Sequence, residues 1–274
     1  MKANTAIGIA VAFFGLLMGA MMEGTQIPAF INPSALLIIL GGTGGATLAT
    51  TGMVQFKKIP TLYKLAFGPP ELNPLERVRL LVNFAEMARR EGLLALDDEL
   101  QQVEDEFTRK GLQLVVDGTD PELVREILET EMDAMAHRHA LAAQPFEKAG
   151  GFAPTMGIIG TVMGLVHVLE NLSNPASLGP AISTAFIATL YGVGSANVIF
   201  LPVASKLKYL SALESELRFM TIEGILAIQA GDNPRIVESK LLSYLAPSER
   251  GGEAEEGAAG AAAAGETAAA TAAA

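Results

Sequence analysis

Two threonines, Thr161 and Thr189, are the side chains of this chain best placed to do chemistry. Each lies in the middle of a long stretch with no Asp, Glu, Lys or Arg. A hydroxyl inside an apolar helix either bonds back to its own turn or offers its oxygen to something else. For one isolated threonine the backbone bond is the default reading. Here the arrangement recurs. Pro154 stands seven residues before Thr161, on the same helix face, and Pro202 follows Thr189 toward the next lysines. Proline deletes a helix hydrogen bond and permits a bend. Two adjacent stretches, each with a central threonine and a proline on the same side, point to a shared polar path. Asn197, eight residues after Thr189, is expected on that threonine's face. An ion-binding site usually needs a carboxylate, and none lies in these stretches, so a partner has to bring it. His167 is the titratable candidate in them, near the outer end of its stretch, and its expected role is packing or interfacial hydrogen bonding. Gly157, Gly160 and Gly164 are helix-packing residues; the last two form a small-xxx-small pair that lets helix backbones approach closely.

The elements that must position these residues are membrane spans. A helix needs about 20 mainly apolar residues to cross the hydrocarbon core. Four stretches qualify, near 5–22, 33–53, 149–169 and 181–204, in a chain of 274 residues that is 50% hydrophobic. The fold class is therefore all-α, a polytopic membrane protein with four transmembrane helices and a helical cytoplasmic domain. The first stretch resembles a signal peptide only superficially, because Lys2 is a lone charge and no small-x-small cleavage site follows. Lys57, Lys58, Lys64, Lys148, Lys206 and Lys208 flank one side of the spans, while the connectors 23–32 and 170–180 have no Lys or Arg. The positive-inside rule then places both termini in the cytoplasm.

The net charge of −11 is concentrated in the expected cytoplasmic parts. This excess of acid argues against nucleic-acid binding. Without cysteine there are no disulfides, thiolate metal sites or cysteine nucleophiles, and three scattered histidines make no metal constellation. The expected organisation is spans one and two in 1–54, a cytoplasmic helical domain in 55–147, spans three and four in 148–205, a helical extension in 206–247 and a disordered Ala/Gly/Glu-rich tail in 248–274. Asn73 is expected to cap a helix with Pro74 at its first position. Leu75, Val78, Leu81, Val82, Ala85 and Ala88 form its apolar stripe, and Gly92 ends it. A second helix is expected to begin around Leu94 and to end at Gly111. A third starts at Asp120-Pro121 and leads toward span three, and Asn233-Pro234 starts a short capped helix.

The segments APTMGIIGTVMGLVHVLENL and AISTAFIATLYGVGSANVIFLPVASKLK resemble the third and fourth spans of flagellar motor stator A subunits, the MotA/PomA family. ARREGLLALDDEL resembles that family's charged cytoplasmic segment, and the likeness extends over roughly 1–247. It implies a MotB/PomB-type partner whose single-span helix supplies an ion-binding aspartate, with five A subunits around two B helices. Thr161 and Thr189 would line the ion pathway, and Pro154 and Pro202 would couple ion passage to movement. Arg89, Arg90, Asp97, Asp98 and Glu99 would meet the rotor protein FliG; read without the resemblance, they are a solvated helix face. The chain is then no enzyme and carries no cofactor. It sits in the bacterial inner membrane and passes Na+, favoured by the two hydroxyls, or H+. An ExbB/TolQ-type energiser is the nearest alternative, but those proteins typically have three spans. A self-sufficient transporter and a membrane scaffold are the others.

Overall fold

The computed structural model describes residues 4–25, 27–173 and 175–250, so the tail expected to be disordered lies almost wholly outside the described residues. The described chain is helical throughout, with no strand among the described residues. Four helices are long and apolar enough to cross a membrane. Contacts divide the chain into two compact units, Met1–Pro70 with Met135–Leu213, and Glu71–Ala134 with Glu214–Ala274. Residues 55–70 and 135–147, assigned from sequence to the cytoplasmic domain, cluster with the spans.

The first unit contains α1 (Asn4–Met22), α2 (Pro33–Phe56) and α3 (Ile59–Phe67). It also takes the C-terminal half of α7 (Pro121–Glu170), all of α8 (Pro175–Ser195) and the start of α9 (Leu201–Gln229). No residue of α1 is buried, and Phe14, Leu37, Ile158 and Phe186 are exposed large hydrophobics on four helices. Backbone hydrogen bonds satisfied within each helix make such apolar exposure compatible with lipid. At its N-terminal end α2 is pinned to α8 by polar groups. Asn32 Oδ1 accepts from the Ala35 N–H at 3.1 Å, its Nδ2 donates to Thr184 Oγ1 at 3.0 Å, and the Tyr191 hydroxyl donates to the Phe30 carbonyl. Where α3 meets α7 and α9, Phe146, Val203 and Ala204 are buried, and Tyr63 stands edge-on to Phe146 at 4.9 Å.

The second unit has an ordinary soluble core. It contains α4 (Pro74–Glu91), α5 (Asp97–Leu100), α6 (Glu106–Val116) and α10 (Pro234–Leu242), with the outer parts of α7 and α9. Val78, Leu81 and Ala85 of the α4 stripe are buried, alongside Leu112, Leu128, Ile225 and Leu241. Gly92 ends α4 at φ 87°, a left-handed conformation that costs glycine little.

Three local expectations need correction. The helix expected to stop at Gly111 runs on to Val116, because Gly111 is an interior contact: a Cβ there would collide with Ile225 Cδ1 and come within 3.1 Å of Leu128 Cδ1. The same helix begins only at Glu106, where Asp105 caps it by accepting from the Thr108 N–H at 2.8 Å. Asn73 sits at the start of α4 but its side chain makes no cap bond; its amide donates to Glu76 Oε2 at 3.0 Å. Asn233 does cap α10, accepting from the Arg235 N–H at 3.1 Å.

Candidate functional site

Small residues set the distance between α7 and α8. A Cβ on Gly164 would lie 2.6 Å from Ala185 Cβ, and one on Gly160 would lie 2.8 Å from Ala188 Cβ. One on Gly157 would meet the Ala188 carbonyl oxygen and Thr189 Cα at 3.1 Å, and one on Gly192 would meet Gly157 Cα at 2.9 Å. The two backbones are therefore in direct contact along about two turns, as small residues permit. Gly192 escaped the reading of the sequence, although it extends the small-residue series Ala185, Ala188 by one turn.

Close backbones bring the two threonines together. Thr161 Oγ1 and Thr189 Oγ1 are in hydrogen-bond contact. Thr161 Oγ1 lies 3.0 Å from the Gly157 carbonyl and 3.2 Å from the Ala185 carbonyl, and Thr189 Oγ1 lies 3.4 Å from the Gly157 carbonyl. Each hydroxyl has one proton to donate and lone pairs that accept. Two protons shared among two hydroxyls and two carbonyls leave oxygen lone pairs without a proton from this cluster. Both threonines are half-buried, and Val162, Phe186, Leu190 and Val193 around them are exposed. The site is an oxygen cluster in an apolar, uncovered face. No group of three or more acidic, His or Cys side chains able to hold a metal occurs among the described residues.

The prolines occupy different settings. Pro154 lies inside α7, which also tolerates Pro145, and α7 is described as one continuous helix. Pro202 follows a π turn, Ala196–Phe200, in which the Leu201 N–H reaches the Ala196 carbonyl. A proline ring crowds the carbonyl four residues back, and a widened turn makes room for it. Asn197 lies within that turn. It is exposed, and its amide donates to the Val193 carbonyl at 2.9 Å. His167 is exposed, and Asn171 Nδ2 donates to its backbone carbonyl at 2.8 Å.

The charged segment lies in the second unit. Arg89 and Arg90 are exposed in the last turn of α4, where cations complement the helix dipole. The Arg90 side chain is 76% exposed, and its ion pair with Glu86 is long, at 3.8 Å. Asp97 and Asp98 are exposed and Glu99 half-buried on α5, which is anchored by buried Leu96 and Leu100. Arg77 ties the first turn of α4 to the start of α6: its guanidinium holds Asp105 Oδ2 at 2.6 Å and reaches the Thr108 hydroxyl. Burial pushes the Asp105 carboxyl up, but hydrogen bonds from Arg77 and Thr108 outweigh it and hold the group below the usual range. Glu223 shows the same balance, with burial outweighed by hydrogen bonds from Lys240 at 2.6 Å and Arg125 at 2.7 Å.

Comparison with known proteins bears on both sites. Residues 99–219 match the MotA/TolQ/ExbB proton channel family, and residues 6–92 match the motility protein A N-terminal family. The motility protein A of Bacillus subtilis is 40% identical over 258 residues, 94% of this chain and 96% of the relative. The chemotaxis protein PomA of Vibrio alginolyticus is 35% identical over 256 residues, 93% of this chain and 100% of the relative. Among solved structures, the flagellar MotAB stator complex from B. subtilis superposes with a TM-score of 0.84 at 40% identity, covering 90% of this chain and 98% of the other. C. jejuni MotAB gives 0.86 at 31% identity, covering 90% and 97%.

Proposed function

The chain belongs to the MotA/TolQ/ExbB proton channel family, and from that membership we propose that it is the A subunit of a flagellar motor stator. It works with a single-span MotB/PomB-type subunit in the bacterial inner membrane, with both termini in the cytoplasm. The observation that carries this reading is the contact between the Thr161 and Thr189 hydroxyls, in spans that offer oxygen ligands but no acid. The partner's aspartate is the missing charge. A cation neutralises that aspartate beside the threonine pair and then leaves toward the cytoplasm. The alternation of charge changes the preferred packing of a ring of five A subunits around two B helices. Gly157, Gly160 and Gly164 keep α7 and α8 close enough to act as one wall, and Pro154 and Pro202 let the helices yield as the charge changes.

The output is mechanical. Arg89, Arg90, Asp97, Asp98 and Glu99 pass movement to the rotor protein FliG through electrostatic contacts. No covalent bond is made or broken, so the chain acts as an ion-coupled motor part without cofactor and not as an enzyme. Sodium is the favoured ion because two hydroxyls and two carbonyls suit a hard cation, whereas a proton needs only the carboxylate. An ExbB/TolQ-type role is disfavoured by the four spans and by relatives described as motility proteins.

The test is Thr189→Val, which keeps the shape and removes the oxygen, measured by ion flux and swimming across a sodium series. Flux and motility should fall, and wild-type swimming should depend on sodium. Normal flux and motility in the variant would reject the threonine pathway, and swimming independent of sodium would reassign the ion to H+.

A further inference from the structure

An open cleft of about 430 Å³ lies between α1 and the π turn leading into α9. Its polar lining comes from Asn4 and Thr5 on one wall and from Asn197, Ser205 and Lys206 on the other. Ile9, Ala12 and Val198 supply apolar lining. At 1.5 Å per residue, Ile9 and Ala12 lie about 6 and 10 Å farther along α1 than Thr5. On the other wall Val198 lies eight residues before Lys206, farther into the apolar stretch. Polar groups therefore stand at the span ends of both walls, while Ile9, Ala12 and Val198 line the deeper part, beside an Asn197 amide already donating to the Val193 carbonyl.

Charge selects the occupant. Lys206 Nζ lies over the Tyr209 ring, 4.9 Å from its centroid, and makes no ion pair among the described residues. Lys208, two residues on, is paired with Glu147. Among the described residues no Asp or Glu lines the cleft. An ammonium without a carboxylate partner, in a cleft whose boundary end is also lined by Asn4, Thr5 and Ser205, suits a phosphate diester. The apolar depth suits the first methylenes of a chain attached to it. We propose that this cleft binds the headgroup of an anionic phospholipid, with Lys206 on the phosphate and the acyl chains passing Ile9 and Ala12. The lipid then bears directly on Asn197, Val198 and Pro202, so occupancy would stiffen the π turn. The inference rests on the membrane reading of the four spans and not on the ion or rotor assignments.

The experiment uses the complete complex with its one-span partner, purified in detergent and examined by native mass spectrometry after exposure to phosphatidylglycerol or phosphatidylcholine. Wild-type complex should retain phosphatidylglycerol preferentially. Lys206→Gln should lower that retention about fivefold, the worth of one lysine near an anionic lipid surface, while Lys208→Gln leaves it unchanged. Equal retention of both lipids, or Lys206→Gln behaving as wild type, would overturn the proposal. So would inorganic phosphate displacing the lipid at millimolar concentration, or a crosslink from position 197 to a second copy showing the cleft already covered. Retention is read by mass, so a chain that failed every test of ion flux would still answer the question.

Discussion

Gly192→Ala tests whether backbone contact between α7 and α8 is what assembles the threonine pair. The new Cβ would stand 2.9 Å from Gly157 Cα, and it would also strike the Ala153 carbonyl. Carbon atoms pack at about 3.5 Å or more, so the helices must separate by about 0.6 Å. That shift would stretch the 3.2 Å separation of Thr161 Oγ1 and the Ala185 carbonyl past the usual limit near 3.5 Å. Overpacking costs about 1–3 kcal/mol, against a gain of about 1 kcal/mol when alanine replaces glycine in a helix. Gly194→Ala is the internal control. Its Cβ would meet nothing within 4 Å, so only the helical gain applies. The two variants should therefore differ by about 1–3 kcal/mol, with Gly192→Ala the less stable. Thermal unfolding of the complex with its partner, followed by helical circular dichroism, measures the difference, and ion flux should fall in Gly192→Ala. Equal melting temperatures and equal flux in the two variants would refute the argument.

Further outcomes follow from the second unit. Arg90→Glu should reduce torque while leaving ion flux unchanged, since the side chain is exposed and weakly paired; a compensating charge change on the rotor should restore part of it, and unaltered torque in a bead assay would remove the residue from the interface. Asp105→Ala removes both the cap of α6 and the counterion of Arg77, and should destabilise the complex by about 2 kcal/mol; Asp105→Asn, which keeps an acceptor, should cost less in the same thermal melt. The carboxyls of Asp105 and Glu223 are held below their ordinary values of 3.8 and 4.5. Groups depressed in the folded state stabilise above the unfolded value and lose that contribution as pH falls through the folded one. Stability should therefore decline on acidification below roughly pH 4.5, and Glu223→Gln should flatten the decline; an unchanged profile would remove Glu223 from the linkage.

The four spans are legible in the chain alone, because length and the absence of charge decide membrane insertion without reference to neighbours. So are the start and stop of α4, the cap at Asn233 and the run of α7 from Asp120-Pro121 into the third span, each written in a few adjacent residues. Thr161 and Thr189 stood out for the same local reason: a hydroxyl in the middle of a charge-free helix needs a partner. Which partner it takes was decided only by the tertiary structure. Gly157, Gly160 and Gly164 mark a face that tolerates close approach, but Ala185, Ala188 and Gly192 had to be seen opposite them before the hydroxyls could be placed in contact. Gly111 makes the complementary point, since a glycine signals a helix end by its own backbone freedom and an interior contact only through a distant Ile225. The π turn before Pro202 is of the same kind. One extra residue in a turn leaves no mark in composition, yet it makes room for the proline ring that follows. Local rules hold where a residue's partners lie within a few positions; the threonine pair joins residues 28 positions apart, and only folding brings those together.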